Sequence, residues 1–105
     1  MLVELSNSKD FDNYKNNLKL LIVLVENSEQ YNVVSSTIKT LSDHNPNILF
    51  LVVRRDICKD LEIIKTSKPL TFVASVNGTE VKRCEATDSK SIEDLITFLN
   101  NHAMF

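Results

Sequence analysis

The sequence predicts an α/β domain with a central mixed sheet of about five strands flanked by about four helices, in the order βαβαβαββα. Three observations predict it. Leu18 to Val25 and Ile48 to Val53 are apolar runs rich in branched side chains, the mark of strands covered on both faces. Between them Tyr31, Val34, Ile38 and Leu41 recur at helical spacing, so strand, helix and strand form a right-handed parallel crossover. Asn77-Gly78 is the strongest hairpin signal in the chain and makes the last two strands antiparallel.

Taken in order, Leu2-Val3-Glu4-Leu5 reads as a short opening strand. Ser8 supplies an oxygen to cap a helix on which Phe11, Tyr14 and Leu18 share a face, with Asp10, Asp12, Asn13 and Lys15 in water. The run Leu18 to Val25 is the middle of the sheet, and Ser28 is read as the N-cap of the helix that follows. That helix ends at Asp43-His44-Asn45-Pro46, because Pro46 forbids continuation. Ile57, Leu61 and Ile64 suggest a short third helix, followed by the polar stretch Lys65 to Lys68 and then Pro69. Leu70 to Val76 and Thr79 to Ala86 form the hairpin strands. A helix capped at Asp88 or Ser89 carries Ile92, Leu95, Ile96 and Leu99 on one face, with Phe98 beside it, and closes the domain.

Composition narrows the function classes. A chain of 105 residues, 43% hydrophobic and 25% charged, is expected to be a single domain, 1–105, without internal repeats or linkers. Twelve basic against fourteen acidic residues give a formal charge of −2, so no field of one sign predicts nucleic acid or an anionic membrane as partner. One Gly and two Pro argue against Gly-rich phosphate loops, and with them dinucleotide or P-loop chemistry. No apolar run approaches the roughly 18 residues a bilayer requires, and no basic leader precedes the first apolar strand. The two cysteines, Cys58 and Cys84, lie far apart, which predicts free thiols in a reducing compartment, the cytoplasm or nucleus. With His44 and His102 they stand singly along the chain, without the paired spacing of metal ligands, so neither metal nor other cofactor is expected.

The element order, the apolar strand leading straight into a capped helix at Asn27-Ser28, the Pro before the hairpin in Lys68-Pro69-Leu70-Thr71, and Val76-Asn77-Gly78-Thr79-Glu80-Val81 together resemble thioredoxin over nearly the whole chain. Within that family the chain is most similar to the amino-terminal thioredoxin-like domain of multidomain monothiol glutaredoxins. The resemblance implies a dithiol motif, Trp-Cys-Gly-Pro-Cys, where the strand meets the helix. A gapless alignment puts Asn27, Ser28, Glu29, Gln30 and Tyr31 there, so both cysteines of the motif are missing. The motif works because a helix amino-terminus lowers the pKa of its first thiol, and the second thiol resolves the mixed disulfide. The family's buried proton acceptor falls at Ile22, which accepts nothing. The resemblance also implies a cis-Pro beside the motif. Aligning Thr71 to Gly78 places Leu70 at that position and Pro69 one residue early, and keeping Pro69 in register needs an extra residue before the turn; a cis Pro69 is the expectation.

Each candidate residue carries a functional and a plain reading. Ser28 is a nucleophile's remnant or a helix cap, and capping is the expectation. Tyr31 is a core residue or an exposed anchor for a partner. Cys58, after Arg54-Arg55 and near the start of a helix, is the candidate reactive thiol, with an ordinary half-buried Cys as its alternative. Cys84 is expected to face the covered side of the sheet as a small hydrophobe. His44 and His102 sit near helix ends and are expected to be solvated, not catalytic. The expected function is a redox-inactive, glutaredoxin-like module that binds a protein partner through Ser28, Tyr31, Lys68, Pro69 and Leu70. The alternative is a monothiol protein of cell redox homeostasis acting through Cys58 or an attached domain.

Overall fold

In the computed structural model, which describes residues 1–65, 68, 70–85 and 88–102, five strands and four helices follow one another as the sequence predicts. They are β1 (Leu2–Glu4), α1 (Phe11–Tyr14), β2 (Lys19–Val25), α2 (Ser28–His44), β3 (Leu49–Arg54), α3 (Glu62–Lys65), β4 (Thr71–Val76), β5 (Thr79–Cys84) and α4 (Ser89–Asn101). The sheet order is β1-β3-β2-β4-β5, with β1, β3 and β2 parallel and β4 and β5 antiparallel to their neighbours. The expected cis bond at Pro69 lies outside the described residues, as does Ala86 at the end of the expected last strand.

The apolar strands are apolar throughout because both faces are covered. Along β2, Leu21, Val23 and Val25 point into a layer beneath α2 and α4 that also holds Ile38, Phe50, Phe72 and Leu99. Leu20, Ile22 and Leu24 point into a second layer with Leu49, Leu51, Val73 and Cys58, against which Phe11 and Ile63 pack. The two-residue turn at Asn77 (φ 53°) and Gly78 (φ 86°) has the left-handed backbone that a tight hairpin needs. A Cβ on Gly78 would meet only the end of the Asn16 side chain, which can swing aside, so it is the left-handed backbone that calls for glycine here.

Three local expectations change. Ser8 does not cap α1: Asp10 is its N-cap and makes no side-chain cap bond, and the helix is a single turn. Leu18 leaves the predicted stripe and is 63% exposed, because the chain turns at Lys15-Asn16 before Lys19 enters the sheet; its carbonyl accepts the Asn77 N–H at 3.2 Å. The segment around Ile57 is a turn, with the helix confined to Glu62–Lys65. Asp88 is the cap of α4, its carboxylate accepting the Ser91 N–H at 3.0 Å. No helix among the described residues is long and apolar enough to cross a membrane.

Candidate functional site

The corner where β2 ends and α2 begins lies at the carboxyl ends of the parallel strands, the edge at which open α/β sheets hold their ligands. Asn27, not Ser28, is the N-cap: its backbone is extended and its Oδ1 accepts the Gln30 N–H at 2.9 Å. Gln30 reaches back, its Oε1 accepting the Glu26 N–H at 2.5 Å. The Asn27 side chain thus satisfies one donor of the helix end, and Gln30 ties the residue before the cap to the first turn of the helix. The one-residue shift of the cap leaves Ser28 inside the first turn, exposed beside Glu29.

Tyr31 is core. It is 6% exposed in the layer beneath α2, and its buried hydroxyl has no hydrogen-bond partner among the described residues. Burial, with the Glu4 carboxylate nearby, pushes its phenol above the ordinary value. Tyr31 therefore presents nothing to a partner. The exposed apolar residue of this helix is Val33, 82% exposed and outside the predicted stripe. Val33, Val34 and Thr37 line one wall of a groove of about 410 Å³ between α2 and the start of α4; Phe72 lies at its base, and Leu70 and Ile92 line it too. So the structure brings Leu70 to the second turn of α2.

Lys68 is exposed and pairs with Glu85 at 3.2 Å, while its carbonyl accepts the Thr71 hydroxyl at 2.9 Å. The same carbonyl accepts from Nη2 of Arg55, whose Nη1 donates to the Ile64 carbonyl at 2.6 Å and whose Nε lies 3.8 Å from Glu26. Arg55 thus ties the residue before the Asn27 cap to the segment before Pro69. Sequence reasoning noticed Arg55 only as an aid to Cys58. The missed signal was a cation, Arg55, directly after a buried strand, opposite Glu26 directly after its parallel neighbour. Val33 was missed because a lone Val off the stripe reads as part of the wet face.

Neither cysteine sits at the corner. Cys58 is wholly buried at 0% exposure in the layer on the α1 and α3 side, and burial pushes its thiol up despite a hydrogen bond with Ser8. Both readings of Cys58, a thiol of lowered pKa at a helix start and an ordinary half-buried Cys, are corrected: the helix expected at Ile57 does not form there, so Cys58 has no helix end beside it and turns fully inward. Cys84 is half-buried and packs against the layer beneath α2 and α4, as the alternation predicts. Ile22 is buried in the apolar layer with Leu20 and Leu24. His44 is exposed in the last turn of α2, and His102 caps α4 beside the Phe98 ring at 5.8 Å. Among the described residues no three His, Cys, Asp or Glu side chains gather as metal ligands do.

No protein-family model matches the sequence, and no curated protein matches it. Solved structures do match. A thioredoxin from Nicotiana alata superimposes with a TM-score of 0.82 at 15% identity, over 93% of this chain and 91% of that one. Mitochondrial thioredoxin 3 from Saccharomyces cerevisiae gives 0.78 at 19% identity, over 93% and 95%. A thioredoxin from Schistosoma mansoni gives 0.78 at 21% identity, over 91% and 93%. In element order, sheet topology and superposition, the chain has the thioredoxin fold.

Proposed function

We propose that this chain is a thioredoxin-like protein without dithiol chemistry, which binds or positions a protein partner. The observation that carries the reading is the α2 amino-terminus: residues 26–31 contain no thiol, and Asn27 caps the helix through the Gln30 N–H. Thiol–disulfide exchange needs a thiolate there and a second thiol to resolve the mixed disulfide. Burial of Cys58 weighs against the alternative of a monothiol protein acting through that residue. The contact surface is the groove between α2 and α4, with Val33 and Leu70 as its apolar anchors, in place of Tyr31. Reduced thiols suit the cytoplasm or nucleus.

The test has two arms. With thioredoxin reductase and NADPH, the purified protein should leave insulin disulfides intact; turnover above the protein-free control overturns redox inactivity. A photo-crosslinking residue at Val33 should give a discrete protein adduct in cells, and one at exposed Thr97 on α4 should not. Equal adducts from both positions, or none from Val33, overturn the assigned surface.

A further inference from the structure

The chain has a single glycine, Gly78, and it follows an asparagine. In an Asn-Gly pair the backbone nitrogen of the glycine can reach the side-chain carbonyl carbon of the asparagine, because no Cβ on the second residue stands in the way. Every other asparagine precedes a residue with a side chain, and Asn45 precedes Pro46, which has no N–H. Asn7 and Asn27, the two followed by a small serine, are held by hydrogen bonds: the Oδ1 of Asn7 accepts the Asp10 N–H at 3.0 Å, and that of Asn27 accepts the Gln30 N–H at 2.9 Å. Asn77 is not held in this way. It and Gly78 are exposed, and among the described residues neither the Asn77 side chain nor the Gly78 N–H has a hydrogen-bond partner.

The turn itself guards the pair. Its positive φ angles, 53° and 86°, are those of a type I′ turn, whose first central residue has ψ of about 30°. That ψ sets the Gly78 nitrogen nearly opposite the Asn77 Cβ, so the turn must open before the two groups meet. Its attachment to β5 is slight. Only two pairs, Val76 with Thr79 and Ser75 with Glu80, separate the turn from a β-bulge, beyond which Ala74 pairs with Lys82, so Val81 is an extra residue. Residues three apart on a regular strand face opposite sides, but this insertion turns Glu80 onto the face of Arg83. The two form a two-point ion pair at 2.7 and 2.8 Å. The bulge uncouples the turn from the rest of the hairpin, and the ion pair straps it back. On the other side β4 stays paired with β2 through Val76 and Lys19, so it is the end of β5 that lifts.

We propose that Asn77 is a site of spontaneous deamidation, gated by local opening of this turn. The Gly78 nitrogen bonds to Cγ of Asn77 as the Cγ–Nδ2 bond breaks. The proton of that nitrogen leaves with the amide as ammonia, and a five-membered succinimide remains. One water then opens the ring: cleavage of the new N–Cγ bond gives aspartate, and cleavage of the original peptide bond gives isoaspartate. Water is the only other reactant. Aspartate keeps the turn, since Asp-Gly suits it as well as Asn-Gly does. Isoaspartate adds a methylene to the main chain, so the Asn77 N–H bond to the Leu18 carbonyl and the pairing of Val76 with Thr79 cannot both survive.

The native chain and the chain in guanidinium chloride, incubated at the same mildly alkaline pH and digested, give the conversion of each asparagine by mass spectrometry. An endoproteinase that cleaves before aspartate but not isoaspartate separates the two products. Asn77 should convert ahead of every other asparagine in both samples. The native chain should be slower by about fivefold to a thousandfold, the range of a local opening as opposed to global unfolding. Gly78→Ala should suppress the conversion severalfold in the denatured chain, where the strain of a side chain at φ 86° plays no part. Glu80→Gln, which releases the strap, should raise the native rate about 1.5-fold to fivefold and leave the denatured rate as it is. The proposal is overturned if another asparagine converts first, if the native-to-denatured ratio falls outside that range, if denatured Gly78→Ala converts as fast, or if Glu80→Gln leaves the native rate unchanged.

Discussion

The two sides of the sheet are covered by unequal means. Helices α2 and α4, of 17 and 13 residues, lie over one face, while two four-residue helices lie over the other. The long pair buries Ile38, Leu95 and Leu99 completely or nearly so; the short pair leaves Phe11 and Ile63 half-buried. The length of a covering helix, more than the apolar character of the strands beneath, decides where open space is left. Beneath α2 and α4 the sheet is sealed, and the groove there opens outward between the helices. On both faces the strand residues beneath stay nearly inaccessible, Phe72 under the groove and Leu20 and Val73 under α1 and α3 all at 0%.

The thiols offer the largest contrast. Cys84 should react with a thiol reagent at least about a hundredfold faster than Cys58, which reacts only through local opening costing a few kcal/mol. Mass spectrometry of labelled peptides reads the ratio, and equal rates would show that the α1 and α3 side opens freely. Next in size, Leu99→Ala should cost about 2–5 kcal/mol in urea unfolding, the range for a buried Leu, and half-buried Ile63→Ala should cost clearly less. Equal losses would erase the difference between the two faces.

Tyr31→Phe sharpens the picture of the sealed side. Removing a buried hydroxyl without a partner should leave stability unchanged or raise it by about 1 kcal/mol. The same variant should change the alkaline limb. With the folded phenol titrating above its ordinary value of 10.0, the unfolded chain loses the proton first, so stability is complete below pH 10 and falls as pH rises beyond it. Thermal melts from pH 8 to 11 should show that fall in the native protein, and less of it in Tyr31→Phe.

The smallest effect belongs to the ion pair on β5. Glu80, bonded to Arg83, titrates below the ordinary carboxylate value of 4.5, so its pairing stabilises at neutral pH and is lost as pH falls through the carboxylate range. Glu80→Gln should therefore cost about 0.2–1 kcal/mol at pH 7, less in high salt and nothing at pH 2. A larger cost that salt does not reduce would mean that Glu80 supports the strand by packing.

The fold was legible because periodicity reports coverage. Unbroken apolar runs at Leu20–Val25 and Leu49–Val53 required two covered faces, and Asn77-Gly78 fixed the antiparallel end. The candidate site was less legible, because it depends on single-residue details. The cap fell on Asn27 since Asn caps as well as Ser does, and spacing alone cannot tell neighbours apart. Tyr31 proved to be core through its place on the stripe with Ile38, which the motif comparison had obscured. Cys58 misled because its environment comes from Ser8 and Ile64, residues distant or weakly patterned in the sequence.

The extra residue in β5 also bears on how the sheet ends. An outer strand exposes a row of unpaired amides and carbonyls that another chain can extend into a fibril. Here β5 is interrupted at Val81, and Glu80, Lys82 and Arg83 place charges along the same margin; at the other margin β1 runs for only three residues. Neither border gives an incoming strand a long, flat, apolar template. Deleting Val81 would therefore do more than turn Glu80 away from Arg83: it would straighten the margin and make the chain prone to stack on itself, a liability visible as thioflavin-positive aggregate where the native protein stays clear.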